Sequence, residues 1–347
     1  MLRQLTEYLQ TSGRDLSAEE IRAVVAALLS EEEESDAKAD FLVALGRKGE
    51  AASEIAAFVE VLLERAVDPG IDVAQVGGPI IDPCGTGGDA LDLFNVSTAA
   101  MFVLAAGGAR VFKHGNRAIT SRSGGADVLE ALGVPIRVPP AQVREHLERF
   151  GFVFALAPDY HPAFQTIAPV RRALAARGER SVFNLLGPLL NPARPAYQLT
   201  GVFAPEFVPI FAEVFSRLGR THAWAVHGQI DAARGMDEIS PVGSTLVSRA
   251  ERGEVSHGRI EHAEFRLPAI ASIDALRGAG PEENARIIVE ILRGEITDAR
   301  RDFVLMNAAA GFVVSGLAPT LAQGVEHALA QIISRRAWSV LEAARTA

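Results

Sequence analysis

The chain has 347 residues, 48% apolar and 22% charged, which marks a globular rather than a disordered or fibrous protein and a length suited to two domains. Its 34 Lys and Arg against 43 Asp and Glu leave a net charge of −9, which argues against a general binder of nucleic acid or membrane surfaces. The one cysteine, Cys84, excludes an intrachain disulfide framework or a multi-cysteine zinc site, and with no signal-like N terminus and no apolar run of bilayer length the expectation is a cytoplasmic protein.

Residues 1 to about 70 read as helices. In "DLSAEEIRAVVAALL", Ser17 precedes Glu20 by a capping-box interval, and Ile21, Val24, Val25 and Leu28 fall at helical spacing. "DAKADFLVALGRKG" and "ASEIAAFVEVLLERAV" repeat the pattern, and Glu31 to Glu34, between the first and second of these three helices, read as a solvated turn, since adjacent carboxylates do not converge on one ion. From residue 79 the texture changes. "PIID", "ARVFKH", "FVFALAP", "YQLTGVF" and "HAWAVHG" read as buried strands, alternating with helical segments at 98–107, 126–132, 140–150 and 205–218. "AFQTIAPVRRALAARG" (163–178) is an interrupted helical stretch, and "EENARIIVEIL" and "FVLMNAAAGFVVSGL" are long helices, the first opened by Gly280-Pro281. This alternation predicts an α/β fold with a mostly parallel central sheet flanked by helices, plus a smaller all-helical domain.

The glycine-rich run "DPCGTGGDALDLFNVSTAA" (82–100) satisfies the dinucleotide fingerprint through Gly85, Gly87 and Ala90. The second half of that motif is missing: the better helix start is a Ser97/Thr98 cap, and no acidic residue closes the next strand. A Walker A reading lacks its Gly-Lys-Ser/Thr. What remains is either a tight structural turn or an anion loop whose N–H groups and helix start approach a ligand. "FKHGNRAITSRSGGAD" (112–127) follows the next strand with Lys113, His114, Asn116, Arg117 and Arg122, a local basic patch in an acidic protein. In a parallel sheet both loops share the carboxyl edge, where a polyanion would bind. Asp237 and Glu238 in "HGQIDAARGMDEIS" end a third such loop and suit magnesium bound jointly with phosphate oxygens, although an Asp-Glu pair also serves as a plain surface turn or helix start. Arg171 and Arg172 are equally readable as a carboxylate clamp or as helix-surface charges, and His161 as a plain loop residue.

Taken in order, Gly85-Thr86-Gly87-Gly88-Asp89, Asn95-x-Ser97-Thr98, Lys113-His114-Gly115-Asn116-Arg117, "SGGADVLEALG", Asn184-Leu-Leu-Gly-Pro-Leu-Leu-Asn-Pro192 and Asp237-Glu238 resemble the anthranilate phosphoribosyltransferases of tryptophan biosynthesis over nearly the whole chain. The resemblance implies a helical domain of residues 1–72, joined by the segment near 163–190, and an α/β domain of residues 73–347 that binds phosphoribosyl diphosphate. It implies transfer of the 5-phosphoribosyl group from 5-phosphoribosyl 1-diphosphate to the amine of anthranilate, in a magnesium-using homodimer. Gly85, Gly88, Asp89, Asn95, Ser97, Thr98, Lys113 and Gly125 would meet the phosphoribosyl diphosphate. Gly85, His114, Asn116 and Arg171 would meet anthranilate, and Ser97, Asp237 and Glu238 would serve Mg2+. No residue is assigned as a general base, because an aromatic amine is already unprotonated at neutral pH. The chain departs from the family in Gly125, commonly Ser, in Leu93, commonly Thr, and in longer turns before Asp237 and after Arg171. A pyrimidine-nucleoside phosphorylase would share the fold, but the Asp237-Glu238 pair and the Asn184–Pro192 segment match the transferase. A non-catalytic nucleic-acid-binding relative is disfavoured by the −9 charge and by that intact acidic pair.

Overall fold

The structure, a computed structural model, describes residues 1–118 and 122–346, so part of the 112–127 loop lies outside the described residues. The chain forms two compact units, Met1–Val67 with Pro158–Pro192 and Asp68–Ala157 with Ala193–Ala347.

The first unit is helical, built mainly from Leu2–Ser12, Ala18–Leu28, Ser35–Lys48, Ala52–Leu63 and Phe164–Ala176. Ser17 and Glu20 form the expected reciprocal cap: Ser17 Oγ accepts the Glu20 N–H at 3.2 Å, and the Ser17 N–H donates to the Glu20 carboxylate at 2.8 Å. Ile21, Val24, Val25 and Leu28 are buried, as their spacing predicts. Glu54 is fully buried and survives there because it is saturated: it accepts from the Leu16 and Ala51 N–H groups and from Lys48 Nζ. Glu31–Glu34 form a turn that ends at the start of the next helix. The stretch that reads as interrupted near residue 169 is a continuous helix, Phe164–Ala176, with Pro169 inside it. The helix tolerates the missing donor because the break costs one bond out of the ladder, while Ile167, Val170 and Leu174 stay buried on one face.

The second unit carries the sheet. Its strands are β1 (Ile80–Gly85), β2 (Arg110–Gly115), β3 (Phe152–Leu156), β4 (Tyr197–Gly201), β5 (His222–Gln229), β6 (Gly235–Met236), β7 (Thr245–Glu251) and β8 (Glu254–Ile260). The order is β3-β2-β1-β4-β5-β7-β8, with β6 beside β5. The first five in that order are parallel; β6, β7 and β8 add antiparallel pairs. β7 and β8 join through Arg252 and Gly253, both at positive φ (51° and 91°), the backbone a two-residue hairpin requires. Two helices pack in the core against the sheet: Val96–Ala106, which is apolar nearly all round, and Ala299–Val314, which is buried almost throughout from Asp302 to Val314. Connections leave β1 towards β2 on one side and reach β4 on the other. The carboxyl ends of β1 and β4 therefore form the switch point where such sheets bind ligands. Among the described residues, no helix is long and apolar enough to cross a membrane.

Candidate active site

β1 and β4 end in register, Gly85 opposite Gly201. Beyond them Gly87 and Gly88 take φ of 68° and 92°, conformations that cost a residue with a side chain, and Asp89 Oδ1 accepts the Leu91 N–H at 3.2 Å. Ala90 and Asp92 also sit at positive φ, so the loop is held strained rather than relaxed. Its anchors are the Thr86 N–H on the Gly201 carbonyl (2.9 Å), Thr86 Oγ1 accepting from the Phe203 N–H (3.0 Å), and a return strand contact between Leu93 and Arg277. Leu93 packs against the hydrophobic core, so this side chain is turned to stability and away from polar contact.

The helix after this loop begins at Val96 with Asn95 as its N-cap residue, two or three residues earlier than a Ser97/Thr98 cap predicts. Neither hydroxyl caps. Thr98 is buried, and Ser97 Oγ instead accepts from Lys113 Nζ at 3.3 Å. The reason is tertiary: Lys113, at the end of β2, is 5% exposed and must place its ammonium on oxygens, which it finds at Ser97 and at the Pro83 carbonyl of β1. The next residue, His114, is buried, and its N–H reaches the Asp82 carboxylate at 3.4 Å. Asn116 is exposed; its Oδ1 accepts the Arg117 N–H and its carbonyl the Ala126 N–H. The basic patch read from 112–127 is therefore not uniform. Arg117 is committed to Glu130 and Asp127, Arg122 reaches Asp92 of the loop after β1 at 3.5 Å from an exposed position, and Lys113 is the buried cation of the three.

Asp237 arrives from β5 by a hairpin. The Ile230 N–H donates to the Arg234 carbonyl, and Asp231 Oδ1 closes the turn on the Ala233 and Arg234 N–H groups, all at 2.9 Å. β6 then runs back along β5 and delivers Asp237 onto the ends of β1 and β4. Asp237 Oδ2 accepts the Gly87 N–H at 2.6 Å. Its chain lies so close that a Cβ on Gly85 would stand 2.5 Å from Oδ2, and one on Gly201 would stand 1.5 Å from the Asp237 carbonyl oxygen. Glu238 follows and lines a small cavity with Ser97, Pro83, Gly201 and Asn307. Asn307 pins this segment by accepting the Ile239 N–H at 3.2 Å while its own amide donates to the Phe303 carbonyl. Burial, then the charge of Asp89 and a hydrogen bond between the two carboxyls, push Asp237 up to about 7. Burial and the charge of Asp237 raise Glu238 well above the usual range, with Lys113 opposing. Among the described residues no three His, Cys, Asp or Glu side chains form a ready-made metal site.

Gly125 starts the helix Gly125–Ala131. A Cβ there would meet Thr98 Oγ1 and Phe154 at 3.6 Å, ordinary contact, so Gly125 is not a steric necessity. Two residues earlier Ser123 is buried, and its hydroxyl has no hydrogen-bond partner among the described residues. In the first unit, Arg171 is half-buried with its guanidinium 5.1 Å over the Phe183 ring, while Arg172 is exposed. Arg171 has no ion-pair partner among the described residues, and burial lowers its affinity for the proton. His161 bonds the Leu190 carbonyl at 2.8 Å and stacks on Phe164, a structural role. Gly201, Asn284 and Asn307 escaped the sequence reading. The two asparagines carry a recoverable signal, a polar residue on an otherwise apolar helix face.

The α/β domain of the glycosyl transferase family matches residues 77–338, and its helical bundle domain matches residues 6–66. The chain belongs to this glycosyl transferase family. Its relatives there are anthranilate phosphoribosyltransferases. That of Persephonella marina is 39% identical, covering 98% of each chain, and that of Thermomicrobium roseum is 44% identical, covering 95% of this chain and 92% of its own. The crystal structure of the enzyme from Thermus thermophilus superposes with a TM-score of 0.87 at 41% identity, covering 96% of both chains. The Saccharomyces cerevisiae enzyme in complex with PRPP and Mg superposes at 0.85 with 29% identity, covering 98% of this chain and 96% of its own.

Proposed function

We propose that this chain transfers the 5-phosphoribosyl group of 5-phosphoribosyl 1-diphosphate to the amine of anthranilate, releasing diphosphate, as the enzyme of that step in tryptophan biosynthesis. The observation that carries the reading is the meeting of Asp237, the Gly87 N–H, Ser97 and Lys113 at the carboxyl edge of β1, β2 and β4. Departure of diphosphate builds negative charge on the leaving group and positive charge on the ribose. Donors held in advance at the leaving group then do most of the catalysis. Gly85, Gly88, Asp89, Asn95, Ser97, Thr98, Lys113 and Gly125 are assigned to the phosphoribosyl diphosphate. Lys113 supplies charge, and the first turn after Asn95, which no side chain caps, supplies N–H groups. Gly85, His114, Asn116 and Arg171 are assigned to anthranilate, with Arg171 taking its carboxylate. The amine is unprotonated at neutral pH, so holding it against C1 suffices and no general base is needed.

Ser97, Asp237 and Glu238 are the residues that would hold Mg2+. Crowded carboxyls raised by burial and by one another are the donor set a hard dication relieves, and an incomplete protein shell suits an ion that completes itself with phosphate oxygens and water. When bound, magnesium supplies neutralisation of charge on the departing diphosphate. The enzyme is read further as a cytoplasmic homodimer, in keeping with its single buried cysteine and its family.

Pure protein with magnesium and both substrates should remove anthranilate fluorescence, and chelation of the metal should stop the loss by at least about 100-fold. No turnover under complete conditions would sink the assignment. At the departing position, Gly125→Ser should leave the KM for phosphoribosyl diphosphate unchanged or lower it. A Cβ fits there, and the added hydroxyl brings a rotatable donor beside Thr98. A several-fold rise in that KM would remove Gly125 from the diphosphate loop.

A further inference from the structure

Asn284 lies outside every motif above. It is 1% exposed in the first turn of the helix Pro281–Leu292, in line with the buried Ile287, Ile288 and Ile291. A buried amide on such a face must satisfy all its groups. Its Oδ1 accepts the main-chain N–H of Ala279 at 2.8 Å. A main-chain N–H can only donate, so this bond decides which end of the amide is oxygen. Nδ2 of Asn284 then donates to Oδ1 of Asn95 at 2.9 Å. That leaves Nδ2 of Asn95 to donate to the main-chain carbonyl of Ser123 at 3.0 Å, a group that can only accept. Two amides are strung between a fixed donor and a fixed acceptor, and one orientation of each satisfies all three bonds.

The consequence falls on Asn95. Its oxygen is occupied by Asn284 and one of its two N–H hydrogens by Ser123. Of its two N–H hydrogens one is left, at the N-cap position of the helix that carries Ser97, while its oxygen is turned towards Asn284. Turned over, the same side chain would offer an oxygen to an anion, which repels where the N–H attracts. We infer that Asn284 is a positioning residue for the diphosphate donor: it holds the Asn95 amide so that its free N–H, and not its oxygen, meets the anionic substrate. The inference rests on the reading of Asn95 as a contact of phosphoribosyl diphosphate, and it names what makes that contact attractive.

Asn284→Asp keeps the size and the acceptor for Ala279 but has no hydrogen to give Asn95. It should raise the KM for phosphoribosyl diphosphate about tenfold or more, with the KM for anthranilate within about twofold. The rise in melting temperature on adding phosphoribosyl diphosphate, read without turnover, should shrink in step. Asn284→Ala removes the amide without adding charge and leaves a good helix former, so it should move both readouts in the same direction. The deciding measurement is the cycle with Asn95→Ala. In that background Asn284→Asp should change the KM for phosphoribosyl diphosphate by less than about twofold, because the residue through which it acts is gone. If Asn95→Ala raises that KM while neither Asn284 variant does, the inference fails and the site reading stands. If Asn284→Asp has the same effect with and without the Asn95 side chain, Asn284 acts by charge or folding and the inference fails. If Asn95→Ala leaves the KM unchanged, the assignment of Asn95 falls and takes the inference with it.

Discussion

Gly201→Ala is expected to lower kcat/KM by about 100-fold or more while leaving a folded protein of reduced melting temperature. The added Cβ would stand 1.5 Å from the carbonyl oxygen of Asp237 and 2.2 Å from its carbonyl carbon. Those distances are far inside van der Waals contact, so the main chain at Asp237 must retreat by more than an ångström. Nothing soft can give instead, because the contact is backbone on both sides: Gly201 is fixed by its parallel partners on β1 and β5, and Asp237 is bracketed by β6 and by the Ile239 bond to Asn307. Displacing a charged group in an active site by about 1 Å is enough for a loss of this size. The carboxylate would also leave the Gly87 N–H that it now holds at 2.6 Å. Steady-state kinetics with thermal unfolding checks this. A variant with the parent's kcat/KM and melting temperature would show that Asp237 does not lie over the end of β4.

Arg171→Ala is expected to raise the KM for anthranilate by about 10- to 100-fold and to leave that for phosphoribosyl diphosphate nearly unchanged. The range follows from a charge-assisted bond contributing about 1.5–3 kcal/mol. A half-buried guanidinium with no ion-pair partner among the described residues is costly in the free protein, and Phe183 beneath it holds the side chain in place without neutralising it. Such a group is poised for a carboxylate that comes from outside the chain. Arg171→Lys should recover only part of the loss, since a point charge lacks the planar fork that matches a carboxylate. Equal effects on both Michaelis constants would take Arg171 out of this role.

Much of the architecture is readable one residue after another. The Ser17–Glu20 cap, the buried positions after it at helical spacing and the strands as short apolar runs buried on both faces are local regularities that need no partner to be recognised. That the loops after successive parallel strands share one edge follows from the common direction of the strands, and it is enough to place Lys113 near the glycine loop. The hairpin of β7 and β8 escapes a sequence reading because β8 is largely solvent-exposed and shows no clean alternation of apolar and polar residues. The helix start is misplaced by two or three residues because Ser97 and Thr98 are good caps by type, while the neighbouring Lys113 draws Ser97 into another bond.

The residue types of the site, and hence the class of charge it handles, are settled by the linear order of amino acids: glycines that let an anion approach, one lysine to meet it, two adjacent acids for a cation. Which of these groups are live is settled only by folding. Arg117 has the same chemistry as a phosphate-binding arginine, but Glu130 and Asp127 engage it. Asn95 and Asn284 stand 189 positions apart, and which way the Asn95 amide is turned depends on that bond. Gly201 looks like any strand-ending glycine until the chain at Asp237 is laid across it. The physical reason is common to all three. Sequence patterns record what a residue can do, whereas hydrogen-bond polarity, ion pairing and close approach depend on a second group brought near by the register of strands and the packing of helices.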